Sequence, residues 1–258
     1  MTQSTTKIRQ SEGGFTLVEL AIVMIIIGLL IGGILKGQEL ITNARVSSTV
    51  AQAKAVESGI SGFRDKYNAV PGDIDAPATR LPNCTNACAT AGTGGTINNG
   101  AIEPQNPGAA AGVGTETGLS FIHLGAAGFI GGIQPATAAL GAGASNPTTP
   151  LGGSWAMSSF NGTATSVTVL AGVPAGIYML AKGAAVGAVA GADNNQVMTP
   201  SNARTIDTKL DDGRPATGTV RSAGGALGAT ACASGAAGAE VYNEALGNPV
   251  CGVMVRVQ

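Results

Sequence analysis

The chain has 258 residues, of which 11% are charged and 3% are aromatic, and its formal net charge is −1. Glycine supplies 40 residues, about 16% of the chain against roughly 7% in average proteins, so a large apolar core is hard to build. The near-neutral charge and the lack of a basic patch argue against a nucleic-acid partner and leave a membrane or secreted protein with a loop-rich exported domain.

An apolar segment of 21 residues, positions 15–35, contains a single charged residue, Glu19. At 1.5 Å per residue this segment spans a hydrocarbon core of ~30 Å. Lys7 and Arg9 precede it, so the positive-inside bias predicts a cytoplasmic N-terminus and export of everything that follows. A secretory signal peptide is disfavoured, because its apolar region covers about 7–15 residues and ends at a small-residue cleavage site. We therefore predict a single-pass membrane helix.

Glu19 is unusual because an ionisable group inside a membrane segment is costly and normally has a partner. Nothing nearby in the sequence offers it a positive charge. One interpretation places Glu19 near the interface, where it reaches water. The other delivers a positive charge from elsewhere: if the chain were cut before Phe15, the new α-amino group of a neighbouring copy would neutralise Glu19 and set the register of packed helices.

The residues around Glu19 resemble a known processing signal. Positions 13–19 read Gly-Gly-Phe-Thr-Leu-Val-Glu before the apolar run, which is similar to the class III leader of type IV pilins and type II secretion pseudopilins. In that family a membrane aspartyl peptidase cuts after the glycine and methylates the new N-terminal residue. The resemblance implies that residues 1–14 are a cleaved cytoplasmic leader ending at Gly14, that Phe15 becomes N-methylated, and that Glu19 acts in assembly together with Phe15.

The helix is predicted to continue beyond the membrane, with residues 15–35 as its transmembrane and assembly half and residues 36–70 as its exported half. Apolar or small residues recur there at alternating spacings of three and four, which is the pattern of one amphipathic stripe. Its members are Val46, Thr49, Ala53, Val56, Ile60, Phe63 and Tyr67. Pro71 ends the helix. Within the apolar half, Gly28, Gly32 and Gly33 each weaken the helix by about 1 kcal/mol relative to alanine, which permits local unwinding on assembly.

Residues 71–258 are predicted to form a Gly/Ala-rich globular head, so the fold class is α+β: a long N-terminal helix packed on a loop-rich, pilin-like head with a small antiparallel sheet. The spacing of apolar residues and the turn and cap residues of the head predict four secondary-structure features. They are a helix over 117–128, a hairpin of strands 166–170 and 176–181, a helix over 202–210 capped by Ser201, and a closing strand over 250–257.

Four cysteines in an exported chain favour disulfides, and three connectivities are possible. We prefer Cys84–Cys88 and Cys232–Cys251; the second pair resembles the C-terminal disulfide loop of type IV pilins. We assign no metal site and no cofactor, since the cysteine spacings lack a paired C-x2-C pattern and His123 adds little.

Three acidic residues near the C-terminal region, Asp207, Asp211 and Asp212, have the chemistry to hold Ca²⁺. Major pseudopilins bind calcium in a C-terminal loop, but no residue-by-residue match supports that role in this chain. Asp211-Asp212-Gly213 is more often a turn that ends a helix, and we interpret it so.

We expect a structural protein and no enzyme, because no nucleophile–histidine constellation is present and His123 is interpreted as a helix-face or partly buried histidine. The first hypothesis is a prepilin that polymerises through its N-terminal helix into a type IV pilus-like filament. Its partners would be membrane lipid before assembly, prepilin peptidase, copies of itself, and an inner-membrane assembly platform with its ATPase. The location would be the bacterial inner membrane, then a periplasmic or cell-surface filament. The alternatives are a type II secretion pseudopilin and a membrane-anchored binding protein that does not polymerise.

Overall fold

The computed structural model describes residues 14–89, 92, 96–103, 114–133, 144–162, 173–183, 196–223, 230–236 and 238–257. The chain divides into two compact units, Met1–Asn43 and Ala44–Gln258. The described helices are α1 (Leu17–Tyr67), α2 (Pro77–Arg80), α3 (Glu116–Ala126) and α4 (Pro200–Leu210), with a 3₁₀ turn at Asn86–Ala89. The described strands are β1 (Ser154–Phe160), β2 (Gly176–Lys182), β3 (Val220–Ala223), β4 (Ala233–Ser234), β5 (Val241–Tyr242) and β6 (Gly252–Arg256).

The predicted long helix is confirmed as α1. Every residue of the amphipathic stripe from Val46 to Tyr67 is buried in the Ala44–Gln258 unit, whereas the apolar residues of 15–35 are exposed. The helix ends where Asn68 adopts a left-handed backbone with φ 48°, three residues before Pro71. The stripe therefore packs against the head as the spacing of its residues predicted.

A four-stranded antiparallel sheet in the order β1-β2-β6-β3 forms the main layer of the head. Strand β6 alternates as predicted. Val253 and Val255 lie in the same core cluster as the α1 stripe, and Met254 lies in a second cluster with Tyr178 and Leu180. The sheet therefore buries apolar side chains on both faces, and Trp155 of β1 joins it to α1.

That junction is a pair of hydrogen bonds made by one side-chain amide. Trp155 Nε1 donates to Gln52 Oε1 at 2.8 Å, and Gln52 Nε2 donates to the carbonyl of Thr148 at 2.8 Å. Without Gln52, the indole N–H of Trp155 and the carbonyl of Thr148 would lack these hydrogen bonds beside the core. Gln52 therefore attaches the β1 end of the sheet to α1.

Of the hairpin predicted for 166–170 and 176–181, the second strand is present as β2, and the first lies outside the described residues. Strand β2 pairs along its whole length with β1 and, on its other edge, with β6. The sequence did not reveal β1, because all seven of its residues are buried and three are serines, so the strand has no apolar/polar alternation.

The predicted helices in the head are present as α3 and α4, with one correction. Thr199, and not Ser201, caps α4: its hydroxyl accepts a hydrogen bond from the N–H of Asn202 at 3.4 Å. Pro200 occupies the first helical position, which proline favours because its missing N–H has no partner there. The pair Thr199-Pro200 was therefore the better indication of where α4 begins.

Both preferred disulfides are formed, Cys84–Cys88 and Cys232–Cys251. All four cysteines are buried in the main core cluster. Cys232 comes directly before β4 and Cys251 directly before β6, so the second disulfide joins the small β4–β5 sheet to an inner strand of the main sheet.

Candidate assembly site at the start of the long helix

The side chain of Glu19 forms a reciprocal set of hydrogen bonds with Thr16 at the first turn of α1. Because α1 begins at Leu17, Thr16 is the N-cap residue. Glu19 Oε2 accepts from the backbone N–H of Thr16 at 2.8 Å and from its hydroxyl at 2.9 Å, and the N–H of Glu19 donates to Thr16 Oγ1 at 3.3 Å. This geometry is a capping box, which satisfies donors that a helix start leaves free.

Our expectation that nothing near Glu19 in sequence can pair with it considered charges alone and left out neutral donors. Thr16 supplies two neutral donors, and the Thr-x-x-Glu spacing was a signal that sequence reasoning missed. Neutral donors orient the carboxylate without cancelling its charge. Glu19 is thus held in one position with its negative charge available to a cation.

Phe15 lies beside this carboxylate. It is 83% exposed, and it lines one apolar groove together with Glu19, Leu20, Ile22 and Val23. The residue that would become the new N-terminus and the acid that would pair with a neighbour's terminus therefore line the same groove.

The apolar surface around this turn extends over the whole first half of α1. The helix contains an 18-residue window of mean hydropathy 2.8, none of it buried, which is long and apolar enough to cross a membrane. Exposed side chains of this kind are stable in lipid or against other helices and not in water. This half of α1 therefore has the length and composition of a membrane anchor.

The three glycines expected to soften the helix lie on this surface. Gly28, Gly32 and Gly33 belong to α1, and a Cβ built on any of them would meet no atom within 4 Å. The helix is continuous through them. Their role in local unwinding remains a prediction, and the open space beside them is compatible with close approach of another helix.

His123 connects α3 to two neighbouring segments of the head. It is fully buried on α3, where its Nδ1 accepts from the N–H of Gly72 at 3.0 Å and its Nε2 lies 3.2 Å from the carbonyl of Cys88. Since Nδ1 is an acceptor, Nε2 carries the proton and donates. Burial lowers the pKa of His123 to about 4. The ring therefore stays neutral and ties α3 to two loops, which corrects our expectation of a helix-face or partly buried histidine.

Two groups of side chains have the composition of metal sites. Cys84, Cys88 and His123 offer ligand atoms within 4.8 Å of one another, but the two sulfurs are joined in a disulfide and are not thiolates. That group therefore does not bind a metal in this state.

The second group is Asp207, Asp211 and Asp212, whose carboxylates also come within 4.8 Å. Each of these carboxylates accepts hydrogen bonds that shape the turn after α4. Asp207 accepts from Gly213 N–H and from the Tyr242 hydroxyl at 2.7 Å, and Asp211 accepts from the N–H of Thr219. Asp212 accepts from Arg214 N–H at 2.9 Å. These contacts fit the interpretation as a turn that ends α4.

The fold and this site define a class: an α+β protein of pilin-like architecture with an exposed apolar N-terminal helix. Residues 9–35 match the family described as the prokaryotic N-terminal methylation motif. The match covers the residues just before Phe15, the capping box and the apolar run, and it supports a type IV pilin or pseudopilin-type protein. No curated protein and no solved structure matches the chain.

Proposed function

We propose that the chain is a prepilin: it is cleaved after Gly14, N-methylated on Phe15 and polymerised through α1 into a type IV pilus-like filament. The observation that carries the proposal is the methylation motif at residues 9–35, placed at the start of an exposed apolar helix. The motif implies a substrate of prepilin peptidase. An inner-membrane platform and an assembly ATPase would extract the subunit from lipid, with the head outside the cytoplasm.

The role of α1 in assembly follows from its exposed surface. Before assembly, the apolar half would lie in lipid. In the filament, the same surface would be covered by helices of other copies, so no apolar side chain passes into water. The charge of Glu19 would then face the methylated amine of a neighbouring Phe15, and this pair would fix the axial register. The function is structural, and the proposal gives no residue a catalytic role.

The test separates the charge of Glu19 from its capping role. Glu19→Gln keeps the capping box, because glutamine accepts the same hydrogen bonds, but it cannot pair with an ammonium group. We expect Glu19→Gln to insert into the membrane and to yield at least tenfold fewer sheared filaments than the wild type. Glu39→Gln is the matched control, because it removes one carboxylate from an exposed site on the same helix, and it should assemble normally.

Processing is measured on the same material by N-terminal mass spectrometry. Filaments whose subunits begin with N-methyl-Phe15 support the proposal. Normal filaments from Glu19→Gln refute the register pair, and unprocessed chain in the membrane fraction refutes the prepilin itself. Processed subunits that stay in short periplasmic fibres, absent from sheared surface material, would identify a secretion pseudopilin instead.

A further inference from the structure

A polar pocket lies in the Ala44–Gln258 unit, where the last turn of α1 meets the loop 96–103. Its lining residues are Arg64, Asn68, Ala69, Val70, Asn98, Asn99 and Gly100. The cavity volume is about 280 Å³, near the lower end of the roughly 300–1,000 Å³ of small-molecule sites. This volume fits a ligand of monosaccharide size.

The loop that forms one wall is held from the inside by carboxylates. Buried Asp73 accepts from the N–H of Asn98 and from that of Gly100 at 2.7 Å. Glu103 accepts from the N–H of Thr96 at 3.1 Å and from the Asn99 amide at 3.0 Å. This wall of the pocket is therefore a loop held in one conformation by hydrogen bonds. The carboxylate oxygens of Asp73 and Glu103 accept those bonds from the loop itself.

Arg64 supplies the charge of the pocket. It is half-buried, and its guanidinium makes no ion pair with any residue in the described part of the chain. Arg80 and Arg204, by contrast, pair with Asp75 and Glu244. A planar guanidinium without a partner presents two parallel donors that match one carboxylate.

Asn68 and Asn98 supply uncharged groups. Both adopt left-handed backbones, with φ 48° and 64°, and among the described residues neither side-chain amide has a hydrogen-bond partner. An amide offers an oxygen acceptor and two N–H donors. Two such groups beside a guanidinium provide the mixture of donors and acceptors that neighbouring hydroxyls of a sugar require.

We propose that this pocket binds an acidic sugar, with the carboxylate on Arg64 and ring hydroxyls on the amides of Asn68 and Asn98. The sequence did not reveal the site, because positions 64–70 and 98–100 meet only in the fold. Binding does not depend on cleavage or polymerisation, so the experiment tests it separately from the proposed function.

The experiment is titration calorimetry on the full chain in detergent, with glucuronate, glucose and acetate as probes. We expect glucuronate to bind at least tenfold more tightly than glucose or acetate. Arg64→Gln should weaken glucuronate binding at least tenfold. Asn68→Gly and Asn98→Gly should weaken it severalfold, because glycine keeps the left-handed backbone and removes only the amide. Lys54→Gln, which removes an exposed cation elsewhere on α1, should leave it unchanged.

Fluorescence of Trp155, the chain's single tryptophan, reports whether each variant is folded, so a loss of binding is assigned only to folded chains. Equal glucuronate binding by wild type and folded Arg64→Gln overturns the proposal. Glucuronate binding no tighter than acetate binding also overturns it, because the site would then accept any carboxylate. Glucuronate binding no tighter than glucose binding overturns it as well, because the charge of Arg64 would then have no role.

Discussion

At position 123 a buried imidazole makes the stability of the head depend on pH. Burial lowers the pKa of His123 to about 4, against about 6.5 in an unfolded chain. The folded state therefore binds fewer protons than the unfolded state between these values. The contribution of His123 to the unfolding free energy is complete above pH 6.5 and is lost as the pH falls toward 4, by roughly 2–3 kcal/mol at pH 4.5.

The prediction is tested with His123→Asn, which keeps an acceptor for the Gly72 N–H and cannot titrate. The difference in unfolding free energy between wild type and variant, followed by Trp155 fluorescence in denaturant, should shrink from pH 7.5 to pH 4.5. A difference that stays constant would contradict a neutral, buried His123.

The variant is needed because two acids act in the opposite sense. Burial raises the pKa of Glu116 and of Asp207 to about 7. Each therefore binds a proton in the folded state that it loses in the unfolded state above pH ~4. Their contribution to the unfolding free energy falls as the pH rises toward 7. Only the difference between wild type and His123→Asn isolates the histidine.

Gly72 is a second residue whose identity the structure explains. Its φ is +100°, and a Cβ built on it would overlap the backbone oxygen of Glu116. Gly128 has a similar φ of +80° with nothing within 4 Å of such a Cβ. We expect Gly72→Ala to lower the unfolding free energy by several kcal/mol and Gly128→Ala by about 1 kcal/mol, the cost of a left-handed alanine alone. Equal losses in chemical denaturation would show that the Glu116 contact is not decisive.

At the scale of elements, the two disulfides should contribute unequally. In the chain-entropy model the bridge Cys232–Cys251, with a sequence separation of 19, contributes about 3 kcal/mol. The bridge Cys84–Cys88, with a separation of 4, contributes about 2 kcal/mol. Thermal unfolding of the two double Cys→Ala variants should rank them in this order. The reverse order would mean that the tight loop near His123 carries more of the folded structure.

The elements that the sequence predicted best are those whose apolar residues recur at a regular spacing. The stripe of α1 follows the helical period, and in β6 Val253 and Val255 alternate with Met254 between two buried clusters. Strand β1 lies between two buried surfaces and shows no period. The two polar sites differ in how far apart their residues lie in the sequence. Thr16 and Glu19 are three residues apart, so the capping box was detectable. Arg64 and Asn98 come together only in the folded chain, so the pocket was not.

At the scale of the whole molecule, the core begins abruptly. From Gly14 to Asn43 the described residues are exposed except for a half-buried Gly37, and burial starts at Val46. We predict that a chain beginning at Ala44 folds and stays monomeric in water without detergent. Its unfolding midpoint, followed by Trp155 fluorescence, should lie within a few degrees of that of the full chain in detergent. Aggregation or a much lower midpoint would show that residues before Ala44 stabilise the head.

The capping box at Thr16 bears on the entropy of the proposed assembly step. Thr16 already holds the Glu19 side chain in one position, so little rotamer freedom of that side chain would remain to be lost when a neighbour's amine pairs with it. Because the Thr16 donors are neutral, the ion pair would add to these hydrogen bonds and not replace them. In the proposed filament the acid would therefore be preorganised, and docking would lose less entropy than it would with a freely rotating side chain.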